Sequence, residues 1–101
     1  MFSQMRATYR EGAGMQFQGA VMKEQGIIFA IITVKEQVID NGFEAETTRR
    51  GFQTVFPGLP IVLMARDSSS GRAIYNGRDD IVGLLTHMPV NAIPLRQYTV
   101  N

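Results

Sequence analysis

The chain has 101 residues, 45% hydrophobic and 19% charged, with ten basic against nine acidic side chains and no cysteine. This length suits one domain whose core is large enough to need no metal or disulfide staple. The missing thiols exclude cysteine nucleophiles, CxxC redox couples, iron–sulfur clusters and zinc–thiolate sites together. A net charge of +1 provides no broad field for nucleic acid or anionic lipid.

Residues 1–14 mix Ser, Gln, Thr, Arg and Glu and close on Gly12-Ala13-Gly14, the composition of a flexible tail. Residues 15–101 then form the single α/β domain. The longest apolar run, Ile27 to Ile32, has six residues, far short of the roughly 20 of a membrane span. No signal-peptide pattern is readable, so a cytoplasmic location is expected.

From Gln16 to Lys23, Phe17 and Val21 stand among small and polar residues, as in a half-exposed strand. Glu24-Gln25-Gly26 is a turn in which glycine suits a positive φ. IIFAIITV at 27–34 is β-branched and nearly unbroken in hydrophobicity, the mark of a central strand covered on both faces. Val38 to Gly42 reads as a connection, with Asp40 or Asn41 capping a helix over Glu44 to Phe56. Ala45, Thr48, Phe52, Val55 and Phe56 share one face of that helix, and Glu46 and Arg50 pair on another. Gly51 costs the helix up to ~1 kcal/mol against alanine, unless a closely packed neighbour requires it.

LPIVLMAR at 59–66 is a second central strand, followed by a polar turn at 67–71 and a return strand at 72–76. Asp79 or Asp80 caps a second helix carrying Ile81, Val82, Leu84, Leu85 and Met88 on one face, and Pro89 stops it. A loop with Asn91 and Pro94 leads to LRQYTV at 95–100, a short edge strand. The order is β-β-α-β-β-α-β: an α+β domain, expected as two layers, with two helices on a single mixed sheet of about five strands. The pattern does not say whether the strands at 27–34 and 60–65 run parallel or antiparallel.

The stretch FPGLPIVLMARDSSSGRAIYNGRDDIVGLLTHM, residues 56–88, resembles the C-terminal half of a thioredoxin-like domain. Gly58-Leu59-Pro60 enters a central strand at 61–65, a turn follows at 67–71, and Gly77 precedes a helix at 80–88. The resemblance implies a hairpin packed under a final helix, and a cis peptide bond before Pro60. It covers about a third of the chain and brings no activity, because there is no CxxC and fewer strands precede the first helix than in that family. The chain as a whole has the look of a small bacterial protein.

Few residues carry chemistry. His87 is the only histidine and falls in the last turn of the second helix, where capping is the plain reading. No metal-ligand spacing is present, no catalytic set can be assigned, and no cofactor is implied. Ser68-Ser69-Ser70-Gly71-Arg72 is the nearest approach to an anion cradle, with a solvated hairpin loop as the plainer account. The Gly77-Arg78-Asp79 junction opens a helix N-terminus, where phosphate is favoured by the backbone but opposed by Asp79 and Asp80. Ser69, Ser70, Arg72, Arg78 and Asp79 are therefore the candidate ligand-binding residues. Arginine outnumbers lysine eight to two, and Arg49, Arg50, Arg66, Arg72, Arg78 and Arg96 would form a basic patch if the fold gathers them.

The reading that fits best is a non-enzymatic interaction or structural domain that self-associates as a homodimer, through edge strands or a sheet face, or meets a protein partner. The alternatives are a small-ligand or phosphate-binding module on loops 67–72 and 77–80, and an enzyme using only carboxylates and arginines. No membrane partner is expected, and the absence of interleaved aromatic and basic residues argues against nucleic acid.

Overall fold

The computed structural model describes residues 15–100, so the reading of residues 1–14 as a tail lies outside the described residues. Strand β1 (Met15–Glu24) turns into β2 (Ile27–Thr33) as an antiparallel hairpin. Gln25 and Gly26 both have positive φ, 49° and 82°, the pair of left-handed residues that a two-residue hairpin turn needs to match strand twist. Glycine adopts this without steric cost.

The next segment contains an element that the sequence pattern does not announce. Glu36–Asp40 forms one short helix, α1, in place of the expected connection. Its five residues are too few to display a helical period, yet Val38 and Ile39 pack against the core. Helix α2 then runs over Gly42–Gln53. It starts two residues earlier than expected because the Asn41 side chain accepts a hydrogen bond from the Glu44 amide at 3.1 Å. It also ends earlier, so Val55 and Phe56 pack on the core from the turn beyond the helix rather than from within it. Glu46 and Arg50 pair at 2.8 Å, as their spacing predicts.

No close neighbour accounts for Gly51: a methyl group there would meet nothing within 4 Å. Gly51→Ala is therefore expected to stabilise the protein by up to about 1 kcal/mol through helix propensity alone. Urea unfolding would show this as a raised midpoint with an unchanged slope.

Strand β3 (Ile61–Arg66) lies parallel to β2, which settles the direction that the sequence pattern leaves open. The peptide bond before Pro60 is trans, not the cis bond that the family resemblance implies. Strand β4 (Ala73–Asn76) returns antiparallel to β3, and helix α3 (Asp79–Thr86) follows. After one turn of 3₁₀-helix at Val90–Ala92, β5 (Arg96–Val100) pairs antiparallel with the start of β1. The sheet order is β4-β3-β2-β1-β5, so β5 is an edge strand, as its pattern indicates.

Alternate residues of each strand enter two separate cores. Phe29, Ile31, Val62 and Met64 point to the face covered by Ile81 and Leu85 of α3. Ala30, Ile32, Ile61 and Leu63 point to the face covered by Ala45 and Phe52 of α2. The fold is thus an α+β domain with one mixed five-stranded sheet, in the element order expected apart from the added helix α1. It has three layers rather than two, because strands apolar on both faces need cover on both. Ile93 and Leu95 carry the chain across the α3 face to the far edge, so the segment before β5 belongs to the core.

Candidate functional site

The β3–β4 loop holds Ser69, Ser70 and Arg72, and the hydroxyls of Ser69 and Ser70 already have an acceptor. The Asp67 carboxylate accepts from the Ser69 amide at 3.1 Å and from the hydroxyls of Ser69 and Ser70 at 3.0 Å. Glu36 on α1 accepts from the Ser68 amide at 3.1 Å, and the Ser70 hydroxyl accepts from the Arg72 amide. The loop does bind carboxylates, those of its own Asp67 and of Glu36 on α1. An added phosphate would have to displace Asp67 and Glu36 and face their charge.

Arg78 and Asp79 sit at the other end of β4. Arg78 grips Asp80 with two hydrogen bonds of 2.9 Å, and Asp80 also accepts from the Ile81 amide. Asp79 lies exposed in the first turn of α3, where the residue in the capping position is Arg78 rather than either aspartate. Four strand residues, about 13 Å of chain, separate this junction from the Ser69–Arg72 loop. The five candidate residues therefore fall into two groups that the structure does not bring together.

These carboxylates give the fold an acid sensitivity. Hydrogen bonds from the Ser69 amide, then from the Ser70 and Ser69 hydroxyls, hold the Asp67 carboxyl below its ordinary 3.8. The Arg78 hydrogen bonds do the same for Asp80. A folded-state pKa below the unfolded one stabilises fully above the unfolded value and is lost as pH falls through the folded value. The melting temperature should thus hold steady in this respect above about pH 5 and fall below about pH 4. Asp67→Asn and Asp80→Asn should each flatten that fall in a pH series of thermal melts; parallel curves would refute the assignment.

His87 ends α3, and its Nδ1–H donates to the Gly83 carbonyl at 2.9 Å, the capping role expected for it. Among the described residues, no group of three or more His, Asp or Glu is placed to hold a metal ion. No described helix is long and apolar enough to cross a membrane. The arginines are dispersed: Arg72 and Arg78 flank β4 at one edge of the sheet, while Arg96 is on β5 at the other. Tyr75 and Tyr98 are likewise on opposite faces and opposite edges. Burial pushes the Tyr75 phenol up, opposed by the charge of Arg66, and its hydroxyl has no hydrogen-bond partner among the described residues.

Two features remain that residue types alone do not indicate. One is a cleft of about 430 Å³ lined by Glu46, Arg49, Arg50 and Gln53 of α2 and by Ile61 of β3. Arg49 leans into the fold, donating to the Asn76 side-chain oxygen on β4, although the helix pattern puts it on the exposed side. The second is the outer edge of β5, beside which no strand lies among the described residues. Behind that edge, Phe17 stacks on Tyr98 at 5.2 Å, and Phe52 and Phe56 meet them edge-on. The guanidinium of Arg96 sits 5.2 Å from the Tyr98 ring centre. An aromatic cluster thus holds a short strand flat against β1, with no strand on its other side among the described residues. Neither family models, curated proteins nor solved structures include a match to this chain.

Proposed function

We propose that this protein is a non-enzymatic interaction domain that self-associates by pairing β5 with β5 of a second copy. The observation that carries this reading is the edge of β5, beside which no strand lies among the described residues, together with its sequence, Arg96-Gln97-Tyr98-Thr99-Val100. Antiparallel pairing about a two-fold axis at Tyr98 sets Arg96 opposite Val100 of the partner subunit and Gln97 opposite Thr99 of the partner subunit. The two tyrosines then face each other as an aromatic cross-strand pair, and no like charges are opposed. The sheet would become ten strands, and the unpaired backbone groups of an edge strand would find partners. The other edge is the poorer candidate, since β4 has only four residues and its Asn76 side chain is engaged by Arg49.

A five-residue pairing is small beside the ~1,200 Å² of a stable interface, so the dimer is a weak one, formed on the order of 100 μM. Sedimentation equilibrium of the full chain should show it. Gln97 and Thr99 are both exposed, so Q97K/T99K should leave the fold intact, set lysine against lysine twice and give a monomer. Mixing it with Q97E/T99E should restore a dimer. A wild-type monomer at several times that concentration would overturn the proposal, and so would a dimer indifferent to both pairs of substitutions.

A further inference from the structure

The cleft between α2 and β3 is unrelated to the β5 edge. Its walls are Glu46, Arg49, Arg50 and Gln53, and its floor includes the buried side chain of Ile61. Arg50 is already paired with Glu46, and both are well exposed at the rim. Arg49 is different. It is half-buried, it makes no ion pair among the described residues, and its one side-chain partner is the neutral Asn76 amide. Gln53 is pinned in turn, donating to the Phe56 and Leu59 carbonyls at 3.0 and 2.7 Å. The cleft is therefore pre-shaped, and its ionic groups sum to one positive charge, from two arginines and one glutamate.

Withdrawing a charge from water without a counter-charge is unfavourable, and a buried apolar side chain usually serves a fold better at such a place. A guanidinium presents five donors in a planar fork, and Asn76 engages only part of it. Carboxylate and phosphate oxygens are the groups that match this fork with two parallel bonds. Ile61 adds an apolar surface beside it, and the volume suits a small molecule rather than a chain segment.

We propose that this cleft binds a small oxyanion, a carboxylate or phosphate monoester bearing a compact apolar group, with the Arg49 guanidinium as its counter-charge. Arg50 lies on the rim, 79% exposed, and is free to swing from Glu46 to a second oxygen.

The test is a titration of the full-length protein followed by amide NMR shifts, using acetate, benzoate, inorganic phosphate and phenyl phosphate, with sodium chloride at matched ionic strength as control. Saturable shifts should localise to residues 46–53, 61 and 76, and the aromatic members of each pair should bind more tightly than acetate and phosphate. The stronger pair identifies the head group. Arg49→Gln should weaken binding by about tenfold or more. Asn76→Asp, which sets a carboxylate against the guanidinium while keeping the side-chain shape, should weaken it similarly in a protein whose melting curve remains cooperative. Either of two results would overturn the proposal: no saturable shifts with any of the four probes, or shifts that both variants leave unchanged.

Discussion

Replacing Phe17 with alanine is expected to cost about 3–5 kcal/mol, a large part of the 5–15 kcal/mol that holds a domain of this size together. Phe17 is 9% exposed and touches three rings: Phe52 at 4.9 Å, Tyr98 at 5.2 Å and Phe56 at 6.1 Å between centres. These come from α2, from β5 and from the turn after α2. One side chain on β1 therefore ties together two parts of the chain far apart in sequence, the end of α2 with its following turn and β5. Removing it leaves a cavity that backbone-anchored neighbours cannot fill, and it forfeits edge-on and stacked aromatic contacts as well. Because β5 pairs only with β1 among the described residues, its amides should lose hydrogen-exchange protection before those of β2 and β3. Phe17→Leu, which keeps most of the volume, should cost less than half as much. A loss below about 1 kcal/mol for the alanine variant in urea unfolding would show that the cluster does not anchor the edge.

Gly19→Ala is expected to destabilise by about 1–3 kcal/mol or more, although it adds only one methyl group. The added carbon would stand 2.5 Å from the Ile31 carbonyl oxygen and 3.4 Å from the Phe17 ring. The oxygen belongs to the central strand and cannot yield without pulling β2 from β1. Gly19 is also the last β1 residue paired with β5, opposite Arg96, and the ring of Phe17 lies over it. The contrast with Gly51→Ala isolates the cause. The chemical change is identical, but one site is open and helical while the other lies under a ring and against a carbonyl. Denaturant midpoints should move in opposite directions, and a stabilised or neutral Gly19→Ala would disprove the steric account.

Much of the local structure is legible in the sequence because it depends on near neighbours along the chain. The β-branched run at 27–34 and the apolar run at 59–66 announce strands wetted on neither face. The sheet places both inside, flanked by other strands and covered by helices. The capping asparagine, the Glu46–Arg50 pair and the Gln25-Gly26 turn all act within four residues. The short helix α1 is hidden because five residues do not complete two turns of a pattern. The segment through Ile93 reads as a loop because its apolar side chains serve a surface provided by distant strands.

The candidate site is less legible. Ser69, Ser70, Arg72, Arg78 and Asp79 are the right chemical types for an anion, but sequence does not show which donors are already satisfied. Asp67 and Asp80 satisfy most of them from within a few residues. Arg49, to all appearance a surface arginine on a helix, acquires its character from Asn76, 27 positions away.

Length, charge balance and the absence of cysteine are enough to establish a small chain of near-zero net charge without thiol chemistry. These are properties of composition, and folding does not alter them. Packing in three dimensions sets the rest: the parallel direction of β3, the placing of one helix unit on each face, the edge position of β5 and the contact of Arg49 with Asn76. Each of these is a relation between segments distant in the chain, fixed by how two apolar strand faces are covered at once rather than by the preference of any residue.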